Sequence, residues 1–131
     1  MGFQEIDHFS DRAVLVTAPN VEELFQQAAQ AMYTIMDVDC SDEAFRRTFS
    51  LEAIDTESLL VSFLSELLSV AELENLAAQS VKFAFSNLHL AVEVVLSPIL
   101  KKVENIKAVT YADMNIKQTD EGYETVIVFD L

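Results

Sequence analysis

The feature that most constrains this fold is a change of hydrophobic period past the middle of the chain. Before it, two long segments carry apolar residues at helical spacing; after it, apolar residues recur every second position. The first segment opens at Asn20, a good N-cap, with Glu23 three residues on forming a capping-box-like pair. Val21, Leu24, Phe25, Ala28, Ala29, Met32, Ile35 and Met36 then form one stripe, with Glu22, Gln26, Gln27 and Gln30 opposite. The spacing predicts an amphipathic helix of about four turns. A second helix is predicted from an Asp55 cap, with Glu57 in its first turn suiting the helix dipole. Its stripe of Leu60, Phe63, Leu64, Leu67, Leu68 and Ala71 is widened by Leu59, Val61 and Val70, so it should be packed on more than one side. Burying six such side chains is worth on the order of 10 kcal/mol before entropy is subtracted.

This helix is expected to end between Ala71 and Leu76. Beyond it, Val81, Phe83 and Phe85 alternate with Lys82, Ala84 and Ser86. A short Ser86-Asn87 turn leads into the alternation of Leu88, Leu90, Val92 and Val94, a hairpin signal that Ser97-Pro98 closes. Further strands are read at Phe3–Ile6, Ala13–Thr17, Phe45–Ala53, Ala108–Ile116 and Tyr123–Phe129. The last two join through Asp120-Glu121-Gly122, the clearest turn in the chain, and Asp37–Asp42 reads as a polar connection. With only two glycines and two prolines, regular elements are favoured over long loops. The expectation is a single α+β domain over residues 1–131: two-layer, with two amphipathic helices packed on a mostly antiparallel β-sheet.

Charge excludes one large class of function. Acidic residues outnumber basic ones 22 to 8, for a net charge of −14. A field of that sign repels phosphate, so direct nucleic-acid binding is not expected, whereas a basic protein surface or a cation is a suitable partner. No basic-then-apolar leader opens the sequence and no run approaches the ~20 apolar residues of a membrane span, so a cytoplasmic, membrane-free protein is expected.

Candidate chemistry concentrates in Glu5-Ile6-Asp7-His8-Phe9-Ser10-Asp11, three carboxylates and an imidazole just before an apolar strand. Taken alone, that cluster reads as a solvated acidic turn. A small metal hydrolase would need His8 as its base, with no second imidazole near it in sequence. Cys40 excludes an internal disulfide, and Asp37, Asp39, Asp42 and Glu43 around it would raise a thiol pKa, so it is a poor nucleophile. Asp37–Asp42 lacks the glycine and the bidentate glutamate of an EF-hand.

Together these segments resemble the archease family. Glu5–Asp11 matches the family's opening E-x-D-H-T-A-D-like motif. N-V-E-E-L-F-Q-Q-A-A-Q-A-M matches its first helix and L-L-V-S-F-L-S-E-L-L its second. K-A-V-T-Y stands intact at Lys107–Tyr111, and the chain closes on V-I-V-F-D-L. It departs from the pattern at Phe9, at Phe63 where tryptophan is common, at Ala112, and in lacking the Gly-Glu motif before the lysine segment.

The resemblance implies a non-catalytic accessory protein. It would activate an RtcB-type RNA ligase, which joins 3′-phosphate or 2′,3′-cyclic phosphate ends to a 5′-hydroxyl in tRNA splicing or RNA repair through a guanylylated histidine. It further implies a metal site at Asp11 and Asp130, with Lys107 functionally important. Two carboxylates before one strand and after another can share an ion if those strand ends lie together, and the Leu131 terminal carboxylate, waters or a partner would complete the shell. Oxygen ligands suit a hard divalent cation, Ca²⁺ first, with Mg²⁺ or Mn²⁺ as alternatives. Asp7 and His8 are then turn-shaping or supporting groups, and Thr110 and Tyr111 strand packing. Asp130 by itself reads equally as a solvated terminal residue. The alternative reading is a chaperone-like acidic interaction module for RNA-processing or RNA-modifying enzymes.

Overall fold

A computed structural model describes residues 1–6, 11–111 and 114–131. In chain order the elements are β1 (Gly2–Ile6), β2 (Arg12–Ala18), α1 (Val21–Met36), β3 (Val38–Cys40), β4 (Phe45–Glu52) and α2 (Thr56–Glu74). There follow β5 (Leu76–Ser86), β6 (His89–Lys102), β7 (Ala108–Thr110), β8 (Lys117–Thr119) and β9 (Gly122–Asp130). The α+β class, the two helices and the antiparallel pairing agree with the sequence reading. The strands, however, divide between two sheets. One runs β1-β2-β9-β7 with β8 also on β9, and the other is built around β6, flanked by β5 on one edge and by β3 and β4 on the other.

Both helices start on the predicted caps. The Asn20 side chain accepts from the Glu23 amide at 2.8 Å and donates to the Glu23 carboxylate at 3.0 Å, so the second half of the pair is side chain to side chain. Asp55 accepts from the Ser58 amide at 2.7 Å. Both end on left-handed residues, Asp37 and Asn75, whose amides bond back to Tyr33 and Ala71.

Helix α2 is buried on several sides, with Leu59, Leu60, Val61, Phe63, Leu64, Leu67, Leu68, Val70 and Ala71 all withdrawn from solvent. It touches β4 and β5 of one sheet and β7 of the other, while α1 lies on β1, β2 and β9 and reaches β5. One continuous apolar core therefore spans both sheets. At its centre Phe25 of α1 stacks on Phe63 of α2 at 5.8 Å, and Phe83 and Phe85 of β5 meet them edge-on.

Three boundaries differ from the sequence reading, and the Asp37–Asp42 segment read as a connection contains the short strand β3, paired antiparallel with β6. Strand β6 does not stop at Ser97-Pro98 but continues to Lys102. Proline is tolerated because its missing amide would face the break between β3 and β4, where only its carbonyl is used, accepting from the Ser41 amide at 2.9 Å. Second, β5 starts at Leu76 rather than Val81, its first residues pairing with that β6 extension. Third, Ala108–Ile116 is not one strand. Strand β7 ends at Thr110 and β8 begins at Lys117, and Glu57 of α2 holds the intervening chain by accepting from the Ile116 amide at 3.0 Å. The Asp120-Glu121 turn is as predicted. Gly122 is required there, since a Cβ would collide with the Ala18 carbonyl and the residue sits at φ +137.

Two measurements test this core. Phe63→Ala removes the ring shared by α1, α2 and β5 and should lower stability by about 3–5 kcal/mol, read as a fall in urea midpoint at unchanged m-value. Tyr33 is mostly buried, accepts from the Ala78 amide at 3.0 Å, and has its phenol pushed up to about 12, chiefly by burial. Folding thus holds a proton that the unfolded chain releases near pH 10. The stabilisation is complete below about pH 10 and should decline by about 2–3 kcal/mol as the pH rises to about 12. Tyr33→Phe should flatten that alkaline decline in pH-resolved thermal melts.

Candidate functional site

Strands β2 and β9 pair antiparallel without a break, from Ala18 opposite Tyr123 to Arg12 opposite Phe129. The start of β2 therefore lies beside the end of β9. Asp11 immediately precedes Arg12, and Asp130 immediately follows Phe129, so the two acids flank one cross-strand pair at the same end of the sheet. On the other side of β9, Ala108 pairs with Asp130, and the Lys107 amide donates to the Asp130 carbonyl at 2.7 Å. Three neighbouring strands thus bring Asp11, Asp130 and Lys107 to one sheet end.

Alternation along β9 separates its two faces. Ile127 and Phe129 enter the core shared with the helices, whereas Val128 and its partner Ala13 are nearly fully buried outside that core cluster. Asp130, two residues from Val128, continues this second face. An apolar floor next to carboxylates lowers the local dielectric and strengthens their pull on a cation. Asp11, Asp130 and Leu131 are half-buried, with Leu131 packed partly against the core, while the Lys107 side chain is exposed. Arg12 is engaged with Glu5 at 3.0 Å, a pair exposed on both sides.

The donors are oxygens only, which suits a hard cation. Among the described residues no group of three or more His, Cys, Asp and Glu side chains is assembled for a metal. Asp11 and Asp130 would therefore supply part of an open shell, the rest coming from water or a partner. Asp7 and His8 lie outside the described residues, as does Ala112.

Tyr111 corrects the sequence reading. Thr110 does sit in a strand, its hydroxyl donating to the Val128 carbonyl at 3.4 Å, but Tyr111 lies past the end of β7 with 59% of its surface exposed. The exposure follows from the break between β7 and β8, and it puts an aromatic ring on the surface four residues from Lys107. Sequence reasoning also missed Glu57 as the tether of that segment, because an acid in a helix's first turn already has a local explanation. The Cys40 thiol is pushed up, first by burial and further by Asp39, as expected of an unreactive cysteine.

Known proteins match this chain over nearly its full length. The archease protein family (MTH1598/TM1083) matches residues 3–131. The archease of Archaeoglobus fulgidus is 32% identical, with all of both chains covered. That of Methanosarcina barkeri is 29% identical over 98% of this chain and 95% of its own. Among solved structures, the crystal structure of a Thermotoga maritima archease, described as a possible chaperone, superposes with a TM-score of 0.78 at 22% identity. It covers 98% of this chain and 96% of that one. The solution structure of Methanobacterium thermoautotrophicum protein 1598 gives 0.75 at 26% identity, with 99% of each chain covered. A match running from Phe3 to the last residue takes in both the chain that leads into β2 and the chain that ends β9, and on it this protein belongs to the archease family.

Proposed function

We propose that this protein is an accessory factor of an RtcB-type RNA ligase, promoting guanylylation of the ligase and its turnover in tRNA splicing or RNA repair. Family membership supports an accessory, chaperone-like role; the ligase as partner is our reading. The observation that carries it is the meeting of Asp11, Asp130 and Lys107 at one end of β2, β9 and β7. In this reading Asp11 and Asp130 hold a divalent cation, Ca²⁺ before Mg²⁺ or Mn²⁺. A bound cation supplies positive charge where the chain's own field is negative. Lys107, held by its amide on the Asp130 carbonyl with its side chain exposed, provides a cationic contact for a phosphate or carboxylate oxygen. The rigid ladder keeps these groups in register, which an isolated acidic turn would not.

A second reading has its own support in the net charge of −14 and in the description of the Thermotoga maritima protein as a possible chaperone. Here the acidic surface as a whole shields basic RNA-processing or RNA-modifying enzymes from aggregation, and no single residue is decisive.

The two readings separate in one assay. Purified ligase from the same species, with GTP and a divalent metal, should become guanylylated at least tenfold faster when this protein is added. Asp11→Ala, Asp130→Ala and Lys107→Ala should each remove most of that gain while leaving the thermal midpoint near wild type. Absence of any acceleration by the wild-type protein would sink the ligase reading. Protection that survives all three substitutions but fades steeply as salt rises would favour the diffuse acidic surface.

A further inference from the structure

The two free edges of the β6-centred sheet are treated differently. The outer edge of β5 is blunted: its register shifts between Ala78 and Ser80, the Tyr33 hydroxyl caps the Ala78 amide, and the Gln26 side chain donates to the Val81 carbonyl at 3.3 Å. The outer edge of β4 has none of these devices. Its eight residues pair with β6 without a bulge, and no proline interrupts Phe45–Glu52. The Ala53 amide bonds to the Leu88 carbonyl, so odd-numbered residues of β4 face β6 and the backbone groups of Arg46, Thr48, Ser50 and Glu52 face outward. Among the described residues, no hydrogen bond engages those outward amides and carbonyls.

We propose that β4 is a homodimerisation edge, pairing antiparallel with β4 of a second copy about a two-fold axis at Phe49. The sequence Phe45-Arg-Arg-Thr-Phe-Ser-Leu-Glu52 is self-complementary in that register alone. Arg46 falls opposite Glu52 of the other copy, Thr48 opposite its Ser50, Arg47 opposite its Leu51, and Phe49 opposite its Phe49. The outward-facing residues then pair with each other, as an antiparallel ladder requires, and the two-fold axis repeats each contact. Moving the axis by one residue either way, to Thr48 or Ser50, replaces the Arg46–Glu52 contact with Arg46–Ser50 or Thr48–Glu52. The present partners of these side chains do not stand in the way. Arg46 meets Glu93 at 3.3 Å and Glu52 meets His89 at 3.2 Å, both on the exposed sheet surface. Two of the chain's eight basic residues lie side by side here, which lightens the mutual repulsion of two copies that each carry −14. Ladder formation across the axis would join the two β6-centred sheets into one.

The test is the mass of the full chain by sedimentation equilibrium at about 0.15 M salt, where charges beyond roughly 8 Å are screened, at concentrations up to about 1 mM to reach a weak edge contact. The expected result is a concentration-dependent rise from 14.7 kDa toward twice that mass. Arg46→Glu or Glu52→Arg alone should weaken association about tenfold, and the two together should restore it to within about twofold. Ser50→Pro removes an outward amide without touching the bonds to β6, and should abolish dimers while the monomer keeps its helical circular dichroism. A chain that stays at 14.7 kDa throughout overturns the proposal. So does a dimer indifferent to both charge reversal and Ser50→Pro. If the chain is monomeric alone but Ser50→Pro weakens its complex with a ligase, self-pairing is overturned and the edge belongs to a partner's strand.

Discussion

The antiparallel ladder between β2 and β9 is the constraint on which the rest of this structure depends. It joins residues 12–18 to residues 123–129, almost the full length of the chain apart. Such a contact carries a large loop-closure cost, which local structure must offset before the ladder can form. What offsets it is apolar burial. Val14, Val16, Ile127 and Phe129 all enter the core that α1 and α2 share, so the ladder is held by packing as well as by its own hydrogen bonds. Once it exists, β1 and β7 have edges to pair with, and the groups at the sheet end are in register.

The helices explain why one core can serve two sheets. A helix with a single apolar stripe covers one surface; α2 has nearly continuous apolar coverage and touches strands on either side. The width of its stripe is legible in Leu59, Val61 and Val70, and it predicts packing on more than one side. What that width does not tell is which strands lie on which side. Hydrophobic period reports that a segment is extended and half-buried, but not its neighbour, because a strand's partner is fixed by long-range packing and by the geometry of its connections. The helices, their caps and the Asp120-Glu121 turn follow from local chemistry and were readable. The division into two sheets, the long reach of β6 through Pro98 and the break between β7 and β8 depend on partners far away in sequence and were not.

The same distinction runs through the candidate site. Asp11, Lys107 and Asp130 were identifiable as residues by family resemblance, and each alone has an ordinary surface explanation. Their juxtaposition needs the β2–β9 and β7–β9 registers together, which no local pattern encodes. Tyr111 shows the converse. Its place in an alternating run suggests packing, yet the chain leaves the ladder at Thr110 and the ring is exposed. Glu57 supplies a reason for that departure, as its carboxylate offers the Ile116 amide a partner that a continued strand would have taken from β9.

A site at the end of the β2–β9 ladder, as proposed for Asp11, Asp130 and Lys107, would inherit its integrity from global stability. No fragment containing Asp11 alone, or the Lys107–Asp130 region alone, can present the three groups together. Local opening of β2 from β9 would dissolve the arrangement even with every site residue intact. Core substitutions distant from the acids, at Phe129 or Val14 for instance, would therefore act on function through the fraction of molecules in which the ladder is closed. The Lys107 amide on the Asp130 carbonyl works against such opening at the sheet end, where strands otherwise fray. The lysine's backbone thus secures the strand that carries the acid, while its side chain is exposed.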